Sequence, residues 1–557
     1  MLGMIGNLVD RTHLHAWSRD HRFWWILGSA IVLINIITAI NSVGFYHPDE
    51  HFQILEFLAV KLPPNPFGQQ PYLAWEHQAQ IRSWFQIFLY YCAVMPIHWL
   101  GWSEHWQLAL MMRLTTAIMA MISTAVLARG VIKNRADAPR SYVIQLWVML
   151  GFTFFVPYFN CRTSSESLGG IFAAAALGLY LWKIAPHDRA PIDQATAPID
   201  TQNDANPISS LIASLLVGLL WGFSFNARNQ IAFAILGFGL WHLRHCPKPW
   251  CKALYMSLGF FAACGIGVLT DYWGYGVWQF TPWKYFQSNI LHGRAAEFGE
   301  YPWYDWFVIY YHRMRQPLAG TLFTLALGGI LYRRRSLLAW SAGAFFIGHL
   351  AVAHKEDRFL FPLYLIILPL ICDLLYDVVI PRLRTIGSSL PGKIGSFILV
   401  LNTAVLFYLA TTPAELRLDA AVKLEYAAYR NPSAIAPLYF VDSHPLKAVN
   451  ILPMHFFAPY DRIKATEIAS IEDTNQALSG KERPFYVFLD SKGCQHLDAK
   501  FTALGCRLIS RVPRVFSYFY WNGGFCKTFA SYDRADLFVC DGPVPDKGES
   551  RSVAARP

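Results

Sequence analysis

Apolar residues in this chain run in long blocks separated by short polar segments, with no sustained strand-like alternation before residue 412. The blocks lie near 23–45, 107–128, 142–160, 167–184, 208–225, 230–243, 252–270, 307–332, 336–353, 359–380 and 394–412. Most approach the ~20 residues that cross a hydrocarbon core, so the pattern predicts about eleven transmembrane helices. The run at 84–101 is ambiguous. Counted as a span, it puts the basic loop 129–140 on the same side as the loop after the first helix. Counted as a helix lying at the headgroups, where Trp84, Trp99, Trp102 and Trp106 suit it, it lets the basic segments all face one side.

The second choice fixes the expected topology. Arg129, Lys133, Arg135, Arg140, Lys183, Arg189, Arg244, Lys248, Lys252, Arg333–Arg335, Arg382, Arg384 and Lys393 then mark the cytoplasm, as does the basic segment 1–22. The expected architecture is an all-α polytopic membrane bundle over 23–412. Its first external loop, 46–106, carries interfacial helices, and its loop 186–207 is cytoplasmic and mobile. After 412 the period changes. A strand at 484–489, a helical stretch at 497–504 and a strand at 507–512 predict a small external α/β domain over 413–542. The charged tail from 543 is expected to be disordered.

Composition agrees and excludes a simple soluble enzyme. Hydrophobic residues make up 54% and charged residues 15%, against about a quarter charged in soluble domains. The net charge of +10 points to topology instead of nucleic acid, because the basic residues cluster at the ends of apolar blocks. The first block is too long for a cleavable signal and lacks a small-residue cleavage site. Cys494, Cys506, Cys526 and Cys540 all fall in the external domain. Two disulfides suit an oxidising compartment, with free thiols as the alternative and the pairing open.

The remaining ionisable clusters test this topology, and all fall outside. They are His47, Asp49 and Glu50 with His51, Glu76 with Arg82, and Arg162 to Glu166. Arg228, Asp271 with the aromatic loop to Asp305, and His354-Lys355-Glu356-Asp357-Arg358 complete the set. Charges at membrane boundaries mark function, pairing or helix ends. For Asp49 and Glu50, two readings fit: a general base, worth about 10²–10⁴ in rate, or caps of a helix starting near Phe52. His354, Lys355 and Arg358 suit an anionic headgroup, above all a phosphate; a charge-balanced turn with Glu356 and Asp357 is the alternative. Arg162 and Arg228 lack an obvious acidic neighbour in sequence, except Glu166 four residues after Arg162. Asp271, at the end of a span, is either functional or an N-cap or a partner of Arg294 or Lys284, and the rings of the loop, Trp273 among them, are stacking faces for a sugar or membrane anchors. No nucleotide-binding glycine motif stands out.

With those residues in view, the chain resembles the Alg9-type mannosyltransferase family, which includes the GPI-anchor mannosyltransferases and the lumenal mannosyltransferases of N-glycan precursor assembly. The matching stretches are HPDEHFQ (47–53), WEHQAQIRS (75–83), RTSSESLG (162–169), DYWGYGVWQFTPWKYFQSNIL (271–291), YPWYDW (301–306) and HKEDRFLFPLY (354–364). The aromatic loop looks closest to the branch that adds the third GPI mannose. The chain departs from the family at Glu76-His77-Gln78, where a Glu-Trp pair is common, and at Glu356-Asp357, where two glutamates are common.

The resemblance implies a GT-C fold and a catalytic carboxylate in the first external loop. It also implies a polyprenyl (dolichyl) phosphate mannose donor, a lipid-linked glycan acceptor, and no cofactor or metal. On that basis Asp49, or second Glu50, is the expected base of an inverting displacement. His354, Lys355, Arg358, Arg162 and Arg228 are expected on the donor phosphate; His47, Glu76, Arg82, Asp271 and Trp273 on sugar and acceptor. The membrane would be the endoplasmic reticulum in a eukaryote or the inner membrane in a bacterium, with the site lumenal or periplasmic. The absence of an Asn-x-Ser/Thr sequon leans toward a bacterium. A flippase or transporter of lipid-linked sugars, or an external transferase of another group, is the alternative. Transporters favour internal repeats and midplane sites, and neither is evident in the sequence.

Overall fold

The computed structural model describes residues 21–63, 70–135, 138–185, 207–246, 249–313, 318–430, 436–448, 452–457, 462–478, 480–492, 497–512 and 533–541. Most of the expected amino-terminal segment, the loop 186–206, Cys494, Cys526 and the tail from 543 lie outside them. The chain folds as two units. One comprises 1–39, 75–96 and 111–410; the other comprises 40–74, 97–110 and 411–557. The first external loop is therefore divided between them.

The first unit is helical. Together with His105–Asn134, whose first turns fall to the second unit, it holds the five described helices long and apolar enough to cross a membrane. The other four are Arg22–Asn41, Ile208–Ala227, Pro249–Tyr275 and Leu390–Thr411. The other expected spans are shorter, broken or bent. The block at 142–160 divides into Arg140–Phe152 and Val156–Asn160, with Pro157 opening the second piece. The block at 359–380 opens as a 3₁₀ turn at Asp357–Leu363, with Pro362 inside it, and meets the helical run Ile367–Ile386 at a bend of 76°. Proline lacks the N–H that a continuing helix needs. Within 307–332, Asp305–Val308 runs directly into the π-helical turn Ile309–Arg313 and Ala319–Tyr332 is the next described helix, with 314–317 outside the described residues.

Buried polar side chains tie the helices together, as expected where lipid supplies no hydrophobic drive between them. Asn160 Nδ2 donates to Asn35 Oδ1 at 2.9 Å, and the Tyr364 hydroxyl donates to Asn160 Oδ1 at 2.8 Å. Two expected topology markers are also structural. Arg135 bonds Asp373 and Asp377 at 2.7 and 2.5 Å, and Arg333 lies 3.2 Å from Asp373. The expectation that Trp84 anchors at the headgroups is overturned. Its side chain is fully buried and meets Trp273 and Tyr275 edge-on, whereas Trp99 and Trp102 are exposed.

Among the described residues the second unit carries seven strands: β1 Ala436–Val441, β2 Lys447–Ala448, β3 Leu452–Pro453, β4 Ile463–Glu467, β5 Phe485–Lys492, β6 Cys506–Val512 and β7 Asp533–Cys540. The five-stranded sheet has the order β4-β1-β5-β7-β6, and β2 pairs with β3. β1 runs parallel to β4 and β5, while β7 runs antiparallel to β5 and β6. The two strands and the helix expected from sequence are present as β5, β6 and Leu497–Ala503. Tyr439, Val441, Val487, Leu489, Phe501 and Phe538 form the core of this α/β domain. Cys506 and Cys540, paired across β6 and β7, form a disulfide.

Candidate active site

In the second unit, the carboxylates after the first helix are held by a short turn. Pro48 opens the helical turn Pro48–Glu50, where its missing N–H costs nothing. His47 is the cap: its Nδ1 accepts the Asp49 N–H at 3.3 Å. The reading of Asp49 as the N-cap is therefore replaced, because the imidazole does that work two residues earlier. Glu50 Oε2 reaches back to accept the Tyr46 N–H at 3.1 Å, much as a capping-box acid does. Glu50 is 3% exposed, whereas the Asp49 side chain is 29% exposed and lies 3.6 Å from His47 Nδ1. The geometry separates the two acids: Glu50 is a structural acid and Asp49 is open to solvent.

Sequence reasoning missed the acid behind them. Glu56 is fully buried and accepts three hydrogen bonds. They come from His51 Nε2 at 2.9 Å, the Tyr72 N–H at 3.1 Å and the Phe456 N–H at 2.9 Å. Its only signal in the sequence was an acid inside the apolar stretch Ile54–Val60.

In the first unit, two sequence motifs far apart in the chain meet. Ser164 caps the helix Ser165–Lys183, accepting the Ser167 N–H at 3.2 Å. That helix approaches the 3₁₀ turn at Gly170, where a Cβ would stand 2.7 Å from the Pro362 carbonyl oxygen. The close approach brings Glu166 to two guanidinium groups: Arg228 Nη2 at 3.2 Å and Arg358 Nη1 at 3.6 Å. All three side chains are buried. Glu166 is thus an acid of Arg228, a partnership invisible in sequence because it is made by tertiary packing. Arg162 is itself buried and sits over the Tyr158 ring at 5.0 Å.

Glu356 pairs with both His354, at 2.8 Å, and Arg358 Nε. Lys355 turns away from these groups. Its ammonium donates to the Val352 and Tyr301 carbonyls at 2.6 and 3.2 Å, and burial lowers its pKa, opposed by Asp305. The buried polar atoms that lack a hydrogen-bond partner among the described residues include Arg228 Nε and Gln86 Oε1, the Gln86 amide nitrogen being held by the Thr163 carbonyl. An orphaned guanidinium donor in a buried site fits an anion.

Asp271 lies near the end of the helix Pro249–Tyr275. Its Oδ1 accepts the Trp84 N–H at 2.8 Å and its Oδ2 the Thr281 hydroxyl at 2.6 Å. The anticipated partners are engaged elsewhere: Lys284 donates to Gln80 Oε1 at 2.6 Å, and Arg294 lies over the Trp75 ring at 4.3 Å. Trp273 packs among Trp84, Phe88 and Tyr91. Glu76 and Arg82, both in the first external loop, are 3.7 Å apart. Among the described residues no group of three or more His, Cys, Asp and Glu side chains converges as a metal site.

Comparison with known proteins adds relatives. GPI mannosyltransferase 3 of Trypanosoma brucei brucei is 29% identical over 157 residues, covering 26% of each chain. GPI alpha-1,2-mannosyltransferase 3 of Danio rerio is 29% identical over 106 residues, covering 18% of each. The matches thus span about a quarter or less of those relatives' length. GPI mannosyltransferase 4 of Eremothecium gossypii is 25% identical over 383 residues, covering 67% of each. Among solved structures, apo ArnT from Cupriavidus metallidurans aligns at a TM-score of 0.48 with 11% identity, covering 94% of this chain and 99% of that one. Residues 24–433, from the first helix through every motif described above, match one family along their whole length, and this chain belongs to the Alg9-like mannosyltransferase family.

Proposed function

We propose that this protein is a polytopic membrane mannosyltransferase of GT-C type with about eleven spans. It moves mannose from a polyprenyl (dolichyl) phosphate to a hydroxyl of a lipid-linked glycan, on the external or lumenal face of its membrane. The observation that carries the reading is the family match over residues 24–433, which takes in both the His47–Gln53 and the His354–Tyr364 stretches. Named relatives that are GPI mannosyltransferases support a glycolipid acceptor.

The chemistry follows from the groups available. Asp49 takes the proton from the acceptor hydroxyl as that oxygen attacks the anomeric carbon, and one base on the attacking face suffices for inversion. Its exposure favours it over Glu50, whose carboxylate is committed to the Tyr46 N–H. The leaving group is a phosphate and needs cations more than an acid. Arg228 and Arg358 are the proposed grip, with Arg162 and His354 in support. Glu166 holds the two guanidinium groups in one orientation, and the orphaned Arg228 Nε supports an anion as its absent partner. Lys355 serves by fixing the turn on which Arg358 stands. Glu76 and Arg82 shape the acceptor side, and Asp271 and Trp273 the sugar side, through the loop they anchor. No metal takes part.

The test is purified full-length protein with dolichyl-phosphate mannose and a synthetic dimannosyl glycolipid. The expected product gains one hexose, and EDTA leaves the rate unchanged. Asp49→Asn is expected to keep donor-phosphate binding and lose turnover by at least about 10²-fold. Full activity in that variant removes Asp49 from the base role. Vesicle translocation of the donor without hexose transfer would establish a flippase instead.

A further inference from the structure

The buried acid Glu56 lies outside the chemistry just described, yet it sits at the junction of three segments of the second unit. The π-helical turn His51–Leu55 follows Asp49 and Glu50 directly, and Glu56 begins the next turn. Its Oε1 accepts both His51 Nε2 and the Phe456 N–H, and its Oε2 accepts the Tyr72 N–H. Phe456 belongs to the carboxy-terminal domain between β3 and β4, and Tyr72 to the end of the first half of the external loop. The rings of Phe45, Phe52, Phe456 and Phe457 surround His51 within 6.5 Å, so the pair is shut away from water. His51 Nδ1 has no hydrogen-bond partner among the described residues, which assigns the proton to the Nε2 facing Glu56.

A carboxylate buried this completely is expensive unless its lone pairs are filled. Here three donors from three segments fill them. Removing any one segment leaves the acid under-satisfied, so the carboxylate enforces their mutual placement. Two backbone hydrogen bonds lock the same junction from its other side: Val43 O accepts the Ala414 and Glu415 N–H groups at 2.8 and 3.2 Å. Residues 43 and 56 bracket the turn that carries Asp49, and each end of that turn is bonded to the carboxy-terminal segment.

We propose that Glu56, with His51, is a positioning residue. It fixes the Asp49 turn onto the carboxy-terminal domain, so that this domain is a working part of the transferase and sets where the base stands. The proposal rests on the mannosyltransferase reading above. A base displaced by about 1 Å loses on the order of 10²-fold in rate with little change in binding.

The test uses the full-length protein in nanodiscs, with dolichyl-phosphate mannose and the dimannosyl glycolipid as probes, and amide hydrogen exchange as a second readout. Glu56→Gln puts an amide donor against one of three donors. It is expected to lower kcat by about 10²-fold with the donor KM within about twofold, while exchange at Tyr72 and Phe456 accelerates. His51→Leu is expected to lower kcat less, and His51→Gln, which restores a donor near Nε2, to recover most of that loss. The proposal is overturned if Glu56→Gln leaves exchange at Phe456 unchanged. It is equally overturned if exchange rises while kcat stays at the wild-type value, or if donor KM rises in step with the loss. A wild-type chain that transfers no mannose sinks the mannosyltransferase reading itself, a result distinct from any produced by the Glu56 variants.

Discussion

Asp271 Oδ1 accepts the Trp84 backbone N–H at 2.8 Å across 187 positions of sequence, while its other oxygen takes the Thr281 hydroxyl. One carboxylate therefore ties the start of the helix Phe85–Trp99 to the aromatic loop. Asp271→Asn can still accept from Trp84, with the Thr281 hydroxyl turned to accept from the amide, and is expected to unfold within a few degrees of wild type. Asp271→Leu leaves the buried Trp84 N–H unmet, a cost of about 1–3 kcal/mol. Thermal unfolding in detergent measures both. Equal losses in the two variants would show that the charge matters and the hydrogen bonds do not.

Gly170 sets the distance between the helix that carries Glu166 and the turn that carries Arg358. A methyl group there meets Pro362 backbone atoms from 2.7 Å, and backbone cannot swing aside as a side chain can. Gly170→Ala is expected to destabilise the chain by about 1–3 kcal/mol and to cut transfer by separating the two motifs. Gly239 is the control, because a methyl group added there meets nothing within 4 Å. Gly239→Ala should leave transfer unchanged and, because alanine favours a helix interior over glycine, hold or raise stability.

His444, after β1, has its pKa pushed down to about 4, by burial first and by Lys447 second. Its Nδ1 accepts the Leu446 N–H at 3.1 Å, a bond that protonation there removes. The unfolded chain binds this proton near the ordinary pKa of about 6.5. Between those values the unfolded state holds more protons, so stability rises with pH from about 4 to about 6.5 and is lost as pH falls through that window. Urea unfolding followed across pH should show the slope, and His444→Gln should flatten it.

The Cys506–Cys540 disulfide closes 34 positions of sequence onto adjacent strands. Cross-linking a loop of this size restricts the unfolded chain and contributes about 2–4 kcal/mol. Cys506→Ser with Cys540→Ser should destabilise the carboxy-terminal domain by that amount and so lower its unfolding midpoint, and reductant should lower wild type toward the same value. A midpoint insensitive to both would show that the sheet holds without the bond.

The apolar blocks, the change of period after residue 412, β5, β6 and the helix between them were legible because each follows from local spacing and hydropathy alone. The motifs of ionisable residues were legible for a related reason: charge beside an apolar block is costly, so each cluster announces a role. The partners were another matter. That His47 caps the turn in place of Asp49, that Glu166 serves Arg228 and Arg358, and that Lys355 turns to carbonyls are choices among geometries with the same local sequence. Glu56 shows the division most clearly. An acid inside an apolar stretch is conspicuous in one dimension, but its three donors lie 5, 16 and 400 positions away. Only folding brings them to one carboxylate, because hydrogen bonds depend on distance in space and carry no trace in the order of the chain.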